Sequence, residues 1–314
     1  MDILTASWRL STKKQYQSYI SRWIKYCREK ELNYISNSVE NVLEFLSDLF
    51  HNGQLKYSAI NTARSALSAF LTLENCPYTV GTHPLIGRFM KGIFQLNPPQ
   101  ARYSEIWDVQ VVFNYLRRLS PAKTLSLKNL TLKLSMLLAL ISAQRVQSLH
   151  LLNLDNMIMK EGAVIFSFSD QLKQNAPGRA AFGIRLPAYP PDRRLCIVTY
   201  LKHYIQRTSV IRGTERYLLI SFKKPCRRIS SQTISRWIKT CMNDAGIDTS
   251  LYKAHSTRAA ATSAAASVDL PLPYIMAQAG WANEKTFQKF YRKPVLVNQG
   301  EQFSSALLTG RKSK

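Results

Sequence analysis

His255 and Arg258 are the first residues of this sequence whose types and spacing suggest chemistry. They lie in Ala254-His255-Ser256-Thr257-Arg258, where an Ala-rich helix is predicted over 255–268. Three-residue spacing puts both side chains on one face of the first turn, and the helix amino terminus adds positive potential. A proton-carrying histidine beside an anion-binding arginine suits phosphoryl transfer. Alone, the motif equally fits a capping histidine and a surface arginine.

Phosphoryl transfer needs cations to take up the negative charge of its transition state. The sequence has no G-x-x-x-x-G-K-[ST] phosphate loop, no H-E-x-x-H motif and no Gly-rich dinucleotide turn. It also lacks a carboxylate cluster that would hold the magnesium ions of a two-metal nuclease. We therefore expect chemistry without a metal or other cofactor, carried by two arginines, a histidine, a lysine and a hydroxyl nucleophile.

A longer pattern surrounds the histidine and arginine. Arg145 directly follows an apolar helix predicted over 127–142. About a hundred residues later comes the H-x-x-R motif, then a Gly-Trp pair ending at Trp281 and a Phe-Tyr pair ending at Tyr291. This order resembles the tyrosine recombinase (phage integrase-like) family over nearly the whole chain. The phrase GWANEKTFQKFYRKP most resembles recombinases of DIRS- and Ngaro-type retroelements and Crypton transposons.

The resemblance implies a site that cuts and rejoins DNA through a covalent 3′-phosphotyrosine. Tyr291 would attack phosphorus, and Arg145 and Arg258 would clamp the scissile phosphate. His255 would assist proton transfer to or from the tyrosine. Trp281 stands where the family has His or Trp and would donate its indole N–H to a phosphate oxygen. The alternatives without a catalytic role are that Trp281 belongs to the hydrophobic core and that Tyr291 is a surface residue.

The family's lysine general acid, which protonates the leaving 5′ oxygen, corresponds to Lys173. This residue lies between strands predicted over 163–168 and 182–186, and Arg179 and Arg185 are nearby competitors.

Two positions depart from the family pattern. Ser148 stands where family members usually carry an acidic residue, so other groups must support the site. The tyrosine lies one residue further from the Gly-Trp pair than in the well-known bacterial and phage enzymes, whose spacing here falls on Phe290. The retroelement form of the connecting helix would place Tyr291 correctly.

The net charge is +24, from 43 basic and 19 acidic residues, which favours a polyanionic partner. Nucleic acid fits this charge, whereas the alternatives are a basic solubilising surface or ribosome association. The resemblance implies that the nucleic acid is double-stranded DNA. The recombinase resemblance adds assembly on DNA as a homodimer or homotetramer. The segment after Tyr291 would exchange with a neighbouring protomer or fold back on its own domain.

Helical periodicity dominates the sequence, and three short strands interrupt it. We predict a mainly α fold with a small antiparallel sheet. A helical core-binding (SAM-like) domain covers 1–97, a Pro-containing linker 98–104, and a mixed α+β catalytic domain 105–314. A capping box at Thr12 opens the first helix, and Gly53 ends the second in a left-handed turn. The candidate DNA contacts of the first domain are Lys13, Lys14, Lys56 and Arg64.

Five scattered cysteines and the absence of an apolar run long enough to span a bilayer favour an intracellular protein, nuclear if the organism is eukaryotic. The predicted function is DNA recombination for the integration of a mobile element. The alternatives are a decayed or domesticated DNA-binding copy of the fold and a type IB topoisomerase. The intact catalytic set disfavours decay, and the small helical first domain disfavours the topoisomerase.

Overall fold

A computed structural model of the chain describes residues 8–100, 102–168, 183–281 and 283–295. The described chain is mainly helical with a small antiparallel sheet, which confirms the predicted fold class. It separates into two compact units, Met1–Ala101 and Arg102–Lys314. No helix in the described ranges is both long and apolar enough to cross a membrane.

The first unit is a bundle of helices with its own hydrophobic core. Its elements are α1 (Leu10–Glu29), β1 (Ser36–Asn37), α2 (Val39–His51), α3 (Tyr57–Ser68), β2 (Thr72–Leu73) and α4 (Pro84–Leu96). The two short strands pair in parallel, which the sequence pattern did not indicate. Trp23, Phe45 and Ile60 pack at the centre, where Trp23 is fully buried and donates its indole N–H to the Tyr34 carbonyl.

The start of α1 differs from the prediction. The capping box at Thr12 is wrong, because the helix begins at Leu10 with Arg9 as an N-cap residue that makes no side-chain cap bond. The Trp8 ring meets the Tyr16 ring edge-on, with 5.4 Å between centroids. This apolar contact holds the entering chain against the helix without a polar cap.

The end of α2 also differs in its backbone. Gly53 does not take the left-handed conformation, which occurs one residue later at Gln54 with φ of 49°. A side chain at position 53 would place its Cβ 2.7 Å from the Leu49 carbonyl oxygen. Close approach of the backbone, rather than a positive φ, therefore explains this glycine.

The second unit surrounds one long apolar helix. Its helices are α5 (Val109–Arg118), α6 (Leu127–Ser142), α7 (Val146–His150), α8 (Ile197–Thr208), α9 (Ser231–Asp244), α10 (Ser256–Ser267), α11 (Leu272–Ala279) and α12 (Glu284–Phe290). Its strands are β3 (Met157–Lys160), β4 (Ala163–Ser167) and β5 (Gly183–Pro187), joined antiparallel in that order. The short helix α7 was not predicted, and α8 begins six residues after the predicted start at Pro191.

Helix α6 is buried on almost every side, as its continuous apolar sequence predicts. Ser126 begins it by accepting the backbone N–H of Asn129. Ala143 ends it in the left-handed conformation, with φ of 50°. This residue turns the chain sharply, so Arg145 starts α7 directly beside the carboxyl end of α6. The central helix of the unit thus positions one of the predicted phosphate-binding arginines.

Candidate active site

The H-x-x-R motif lies at the amino terminus of α10. His255 is the N-cap residue and is exposed, whereas Arg258, one turn later, is 0% exposed. The Thr257 hydroxyl donates to the Ala254 carbonyl at 2.8 Å, which closes the first turn. The histidine therefore reaches outward while the arginine lies beneath it.

Arg258 joins two loops of the site. Its Nη1 donates to the Ala143 carbonyl at 2.8 Å, and its Nη2 donates to the Ala279 carbonyl at 2.7 Å. The first carbonyl precedes Arg145, and the second precedes Trp281. Burial lowers the pKa of the Arg258 guanidinium to about 10, and the positive charge of nearby Arg145 acts in the same direction. Two cations close together in a partly desolvated place favour an anionic ligand.

Tyr291 is the C-cap residue of α12, and its side chain is partly buried. Its hydroxyl oxygen and the His255 Nε2 atom lie 3.1 Å apart, at hydrogen-bond distance. Its ring centroid is 4.5 Å from that of Trp281 and 5.5 Å from the Arg258 guanidinium carbon. The structure thus brings four predicted site residues together, with Arg145 next to them.

The end of α12 bears on the choice between Phe290 and Tyr291. The backbone N–H groups of Tyr291 and Arg292 both donate to the Phe287 carbonyl at 2.9 Å, which tightens the helix as it ends. The Tyr291 hydroxyl consequently faces His255, while the Phe290 side chain is 56% exposed. This geometry is compatible with the longer spacing. The nucleophile assignment stays a prediction.

Trp281 packs its ring against the Arg258 guanidinium, whose carbon lies 4.4 Å from the ring centroid. Its indole Nε1 and the Arg258 Nε atom are both buried and have no hydrogen-bond partner among the described residues. An unpaired buried donor costs about 1–3 kcal/mol. Two such donors on groups in contact with each other are suited to an oxygen anion that approaches from outside.

Ser148, which stands where family members usually carry an acidic residue, is buried. Two glutamines connect the loop that precedes Arg145 to a neighbouring helix. The Gln144 side-chain amide donates to the Gln278 carbonyl at 2.6 Å, and the Gln278 side-chain amide donates to the Ile141 carbonyl at 2.9 Å. These bonds join the end of α6 to the end of α11. The spacing of motifs could not indicate them, because the two glutamines are separated by most of the unit.

Ser263 is a further residue near the candidate site that no sequence motif indicated. Its hydroxyl donates to the Tyr291 carbonyl at 2.6 Å and accepts the Lys293 backbone N–H at 3.0 Å. It therefore attaches the tyrosine backbone to α10, the helix of His255 and Arg258. The sequence gives no distinct signal for it, because half of the residues of this helix are polar.

The other predicted residues lie elsewhere. Lys173 and Arg179 fall outside the described residues, and Arg185 is exposed on β5. In the first unit, Lys14 and Lys56 are exposed, and Lys13 and Arg64 are partly buried. Across the described ranges, no group of three or more His, Cys, Asp or Glu side chains is placed to hold a metal ion.

Comparison with known proteins decides the family. The phage integrase family model matches residues 113–295, more than half of the chain. The chain belongs to the phage integrase family. That matched range contains every residue of the candidate site, from Arg145 to Tyr291. No curated protein matches the sequence.

Solved integrase-family structures share the fold at low identity. The XerH site-specific recombinase bound to palindromic difH substrate, in a post-cleavage complex, matches with a TM-score of 0.57 and 14% identity over 85% of this chain and 71% of that one. A lambda integrase dimer bound to a COC′ core site matches with a TM-score of 0.53 and 15% identity over 93% of this chain and 74% of that one. The Tn1549 transposon integrase in complex with circular intermediate DNA matches with a TM-score of 0.52 and 13% identity over 88% of this chain and 85% of that one.

Proposed function

We propose that this chain is an active tyrosine recombinase that cuts and rejoins double-stranded DNA through a 3′-phosphotyrosyl intermediate. The observation that carries the proposal is the 3.1 Å approach of the Tyr291 hydroxyl to His255, beside the buried guanidinium of Arg258. A phenol held by a proton acceptor and next to fixed cations is arranged for attack on a phosphodiester.

The proposed reaction exchanges one phosphoester for another. The Tyr291 oxygen bonds to phosphorus, the bond from phosphorus to the 5′ oxygen breaks, and the phenol proton passes to His255. Arg145, Arg258 and Trp281 bind the phosphoryl oxygens. Lys173 is proposed to protonate the 5′ oxygen. The phosphotyrosine conserves the phosphodiester energy, so a free 5′ hydroxyl can reverse the reaction on the same or another strand.

A nicked suicide substrate tests this proposal, because loss of the short fragment after cleavage traps the adduct. We expect a covalent protein–DNA complex whose DNA-bearing peptide contains Tyr291 by mass spectrometry. Tyr291→Phe should abolish it, whereas Tyr274→Phe, at a residue 67% exposed on α11, should leave it unchanged.

A swap variant tests the register of the nucleophile. Phe290→Tyr combined with Tyr291→Phe should stay inactive, because the side chain at 290 is 56% exposed, whereas the hydroxyl at 291 lies within hydrogen-bond distance of His255. Restored cleavage in this double variant would refute the requirement for the longer spacing between the Gly-Trp pair and the nucleophile. Intact folding and DNA binding without any adduct in the wild type would instead indicate a decayed DNA-binding protein.

We propose that the first unit is the core-binding domain and that Lys13, Lys14, Lys56 and Arg64 contact DNA phosphates. We also propose assembly on DNA as a dimer or tetramer. This rests on the lambda integrase dimer described above and on a lambda integrase tetramer bound to a Holliday junction, which matches with a TM-score of 0.50 and 14% identity over 90% of this chain and 72% of that one.

The proposed biological role is integration of a mobile element of the DIRS, Ngaro or Crypton type. Its support is the sequence GWANEKTFQKFYRKP around the candidate nucleophile. The DNA that flanks the gene tests this role. Terminal repeats with a reverse transcriptase gene would indicate a DIRS- or Ngaro-type element, and their absence would favour a Crypton-like or domesticated gene.

A further inference from the structure

The chain between the first unit and α5 contacts the helix that carries His255. Trp107 donates its indole N–H to the Ser256 hydroxyl at 2.9 Å, across 149 positions of sequence. Both residues are 2% exposed. Ser256 is the first residue of α10 and directly follows His255. A buried hydrogen bond therefore fixes the backbone immediately beside the proposed proton acceptor.

The same short segment also holds the chain that leaves Tyr291. The Ile106 backbone N–H donates to the Pro294 carbonyl at 2.8 Å, and Ile106 pairs in parallel with Val295. Three residues before Ile106, the Tyr103 carbonyl accepts a hydrogen bond from the Lys293 ammonium at 3.1 Å. Residues 103–107 thus contact Ser256, which directly follows His255, and residues 293–295, which lie shortly after Tyr291.

This arrangement matters because His255 is exposed at the end of a helix. Its ring touches Tyr291, with 5.9 Å between the two ring centroids, so its position depends on where the helix backbone begins. Buried tryptophans usually find a partner for the indole N–H, and here that partner is at the site rather than in the general core.

We propose that Trp107 is a positioning residue for the transesterification, acting through Ser256 to hold His255 against Tyr291. The inference rests on the proposed function and deepens it. It assigns a role to a residue about 150 positions before the H-x-x-R motif, and it makes the indole N–H, rather than the ring, the group that matters.

Trp107→Phe tests the proposal, because it keeps an aromatic ring and removes the N–H. We expect single-turnover cleavage of the nicked substrate to slow about tenfold, with an unchanged dissociation constant for DNA. Ser256→Ala should slow cleavage similarly, and Ser256→Thr, which keeps the hydroxyl, should recover most of the rate. The control is Trp237→Phe, at a buried tryptophan of the same unit that stacks on Phe222.

A double-mutant cycle with His255→Ala distinguishes positioning from simple loss of packing. If Trp107 acts through His255, Trp107→Phe will slow the His255→Ala enzyme far less than it slows the wild type. If the two substitutions reduce the cleavage rate by factors that multiply in the double variant, the proposal is wrong. It is also wrong if Trp107→Phe cleaves at the wild-type rate, or if Trp237→Phe reduces the rate equally. Should Trp107→Phe melt below the assay temperature, the Ser256→Ala and Ser256→Thr pair decides the same question.

Failure of the positioning role can be distinguished from failure of the proposed function. If the wild-type chain forms no adduct, or if the adduct survives Tyr291→Phe, the recombinase proposal itself is refuted. If the wild type cleaves through Tyr291 while Trp107→Phe does so equally fast, only the positioning role is refuted.

Discussion

At the scale of single residues, the fold uses only part of the hydrogen-bonding capacity of the arginine in α10. A guanidinium has five N–H donors. Two of those of Arg258 bind the Ala143 and Ala279 carbonyls and so hold the loops in place. The Nε donor has no partner among the described residues, like the Trp281 indole N–H that lies against the same guanidinium. The site is therefore assembled before an anion arrives.

Trp281→Phe should retain the ring packing and lose the donor. A hydrogen bond to a charged oxygen contributes about 1.5–3 kcal/mol, so cleavage of the nicked substrate should slow about 10- to 100-fold with little change in DNA affinity. Trp281→His, which keeps a ring donor, should retain more activity than Trp281→Phe. Cleavage by Trp281→Phe at the wild-type rate would show that this tryptophan serves the core alone.

At the scale of elements, a buried lysine connects the central helix to its neighbours. Lys133 on α6 is fully buried and donates to the Leu116 and Leu119 carbonyls, both at 2.7 Å, at the end of α5. Its ammonium also lies 3.7 Å from the centroid of the Tyr200 ring on α8. Burial lowers the pKa of Lys133 to about 7. The negative charge of Asp192 partly opposes this shift by raising the pKa, and the positive charge of Arg194 adds to it.

This lysine makes the stability of the protein depend on pH. Between about pH 7 and its unfolded pKa of about 10.5, the unfolded chain holds a proton that the folded protein has released. The free energy of unfolding should therefore rise with pH, by at most about 1.4 kcal/mol per pH unit. Urea denaturation from about pH 7 to about pH 8.5 measures this below the range in which tyrosines titrate.

Lys133→Met should remove most of that slope, whereas Lys128→Met, at an exposed position of the same helix, should leave it. An equal slope in the wild type and in Lys133→Met would mean that the lysine keeps its proton when the protein folds.

The same scale shows which features were accessible from sequence. Ser126, Ser230 and Asn283 cap helices, as residues of these types commonly do, although the cap predicted at Thr12 is wrong. The H-x-x-R motif depends on one helical turn. The contacts of Trp107 with Ser256 and of Gln144 with Gln278 join elements far apart in the chain. Local periodicity contains no information about such partners, so only the folded structure identifies them.

At the scale of the whole molecule, the proposed binding of DNA depends on the net charge of +24. Each neutralised phosphate releases counterions, so affinity falls steeply with salt. The candidate contacts Lys13 and Lys14 lie on α1, as does Lys25, whose ammonium is 3.6 Å from the Glu29 carboxylate. A lysine that already has an acidic neighbour offers less charge to DNA than one without.

We expect the logarithm of the DNA association constant to fall linearly with the logarithm of salt concentration from about 50 to about 200 mM, by about 0.9 per phosphate contacted. Lys13→Gln with Lys14→Gln should reduce the slope by up to about two without changing sequence preference, whereas Lys25→Gln should alter it less. Fluorescence anisotropy measures these slopes. A flat response in the wild type would contradict a wide phosphate footprint.

The attachment of residues 103–107 to the chain after Tyr291 has a mechanical consequence. In the proposed intermediate the cut strand is tethered to the protein through one phenol oxygen, so tension in that strand enters the backbone at Tyr291. The load then divides between α12 on one side and the Ser263 and Ile106 hydrogen bonds on the other. Optical-tweezer extension of the trapped adduct would measure the force at which this anchor opens.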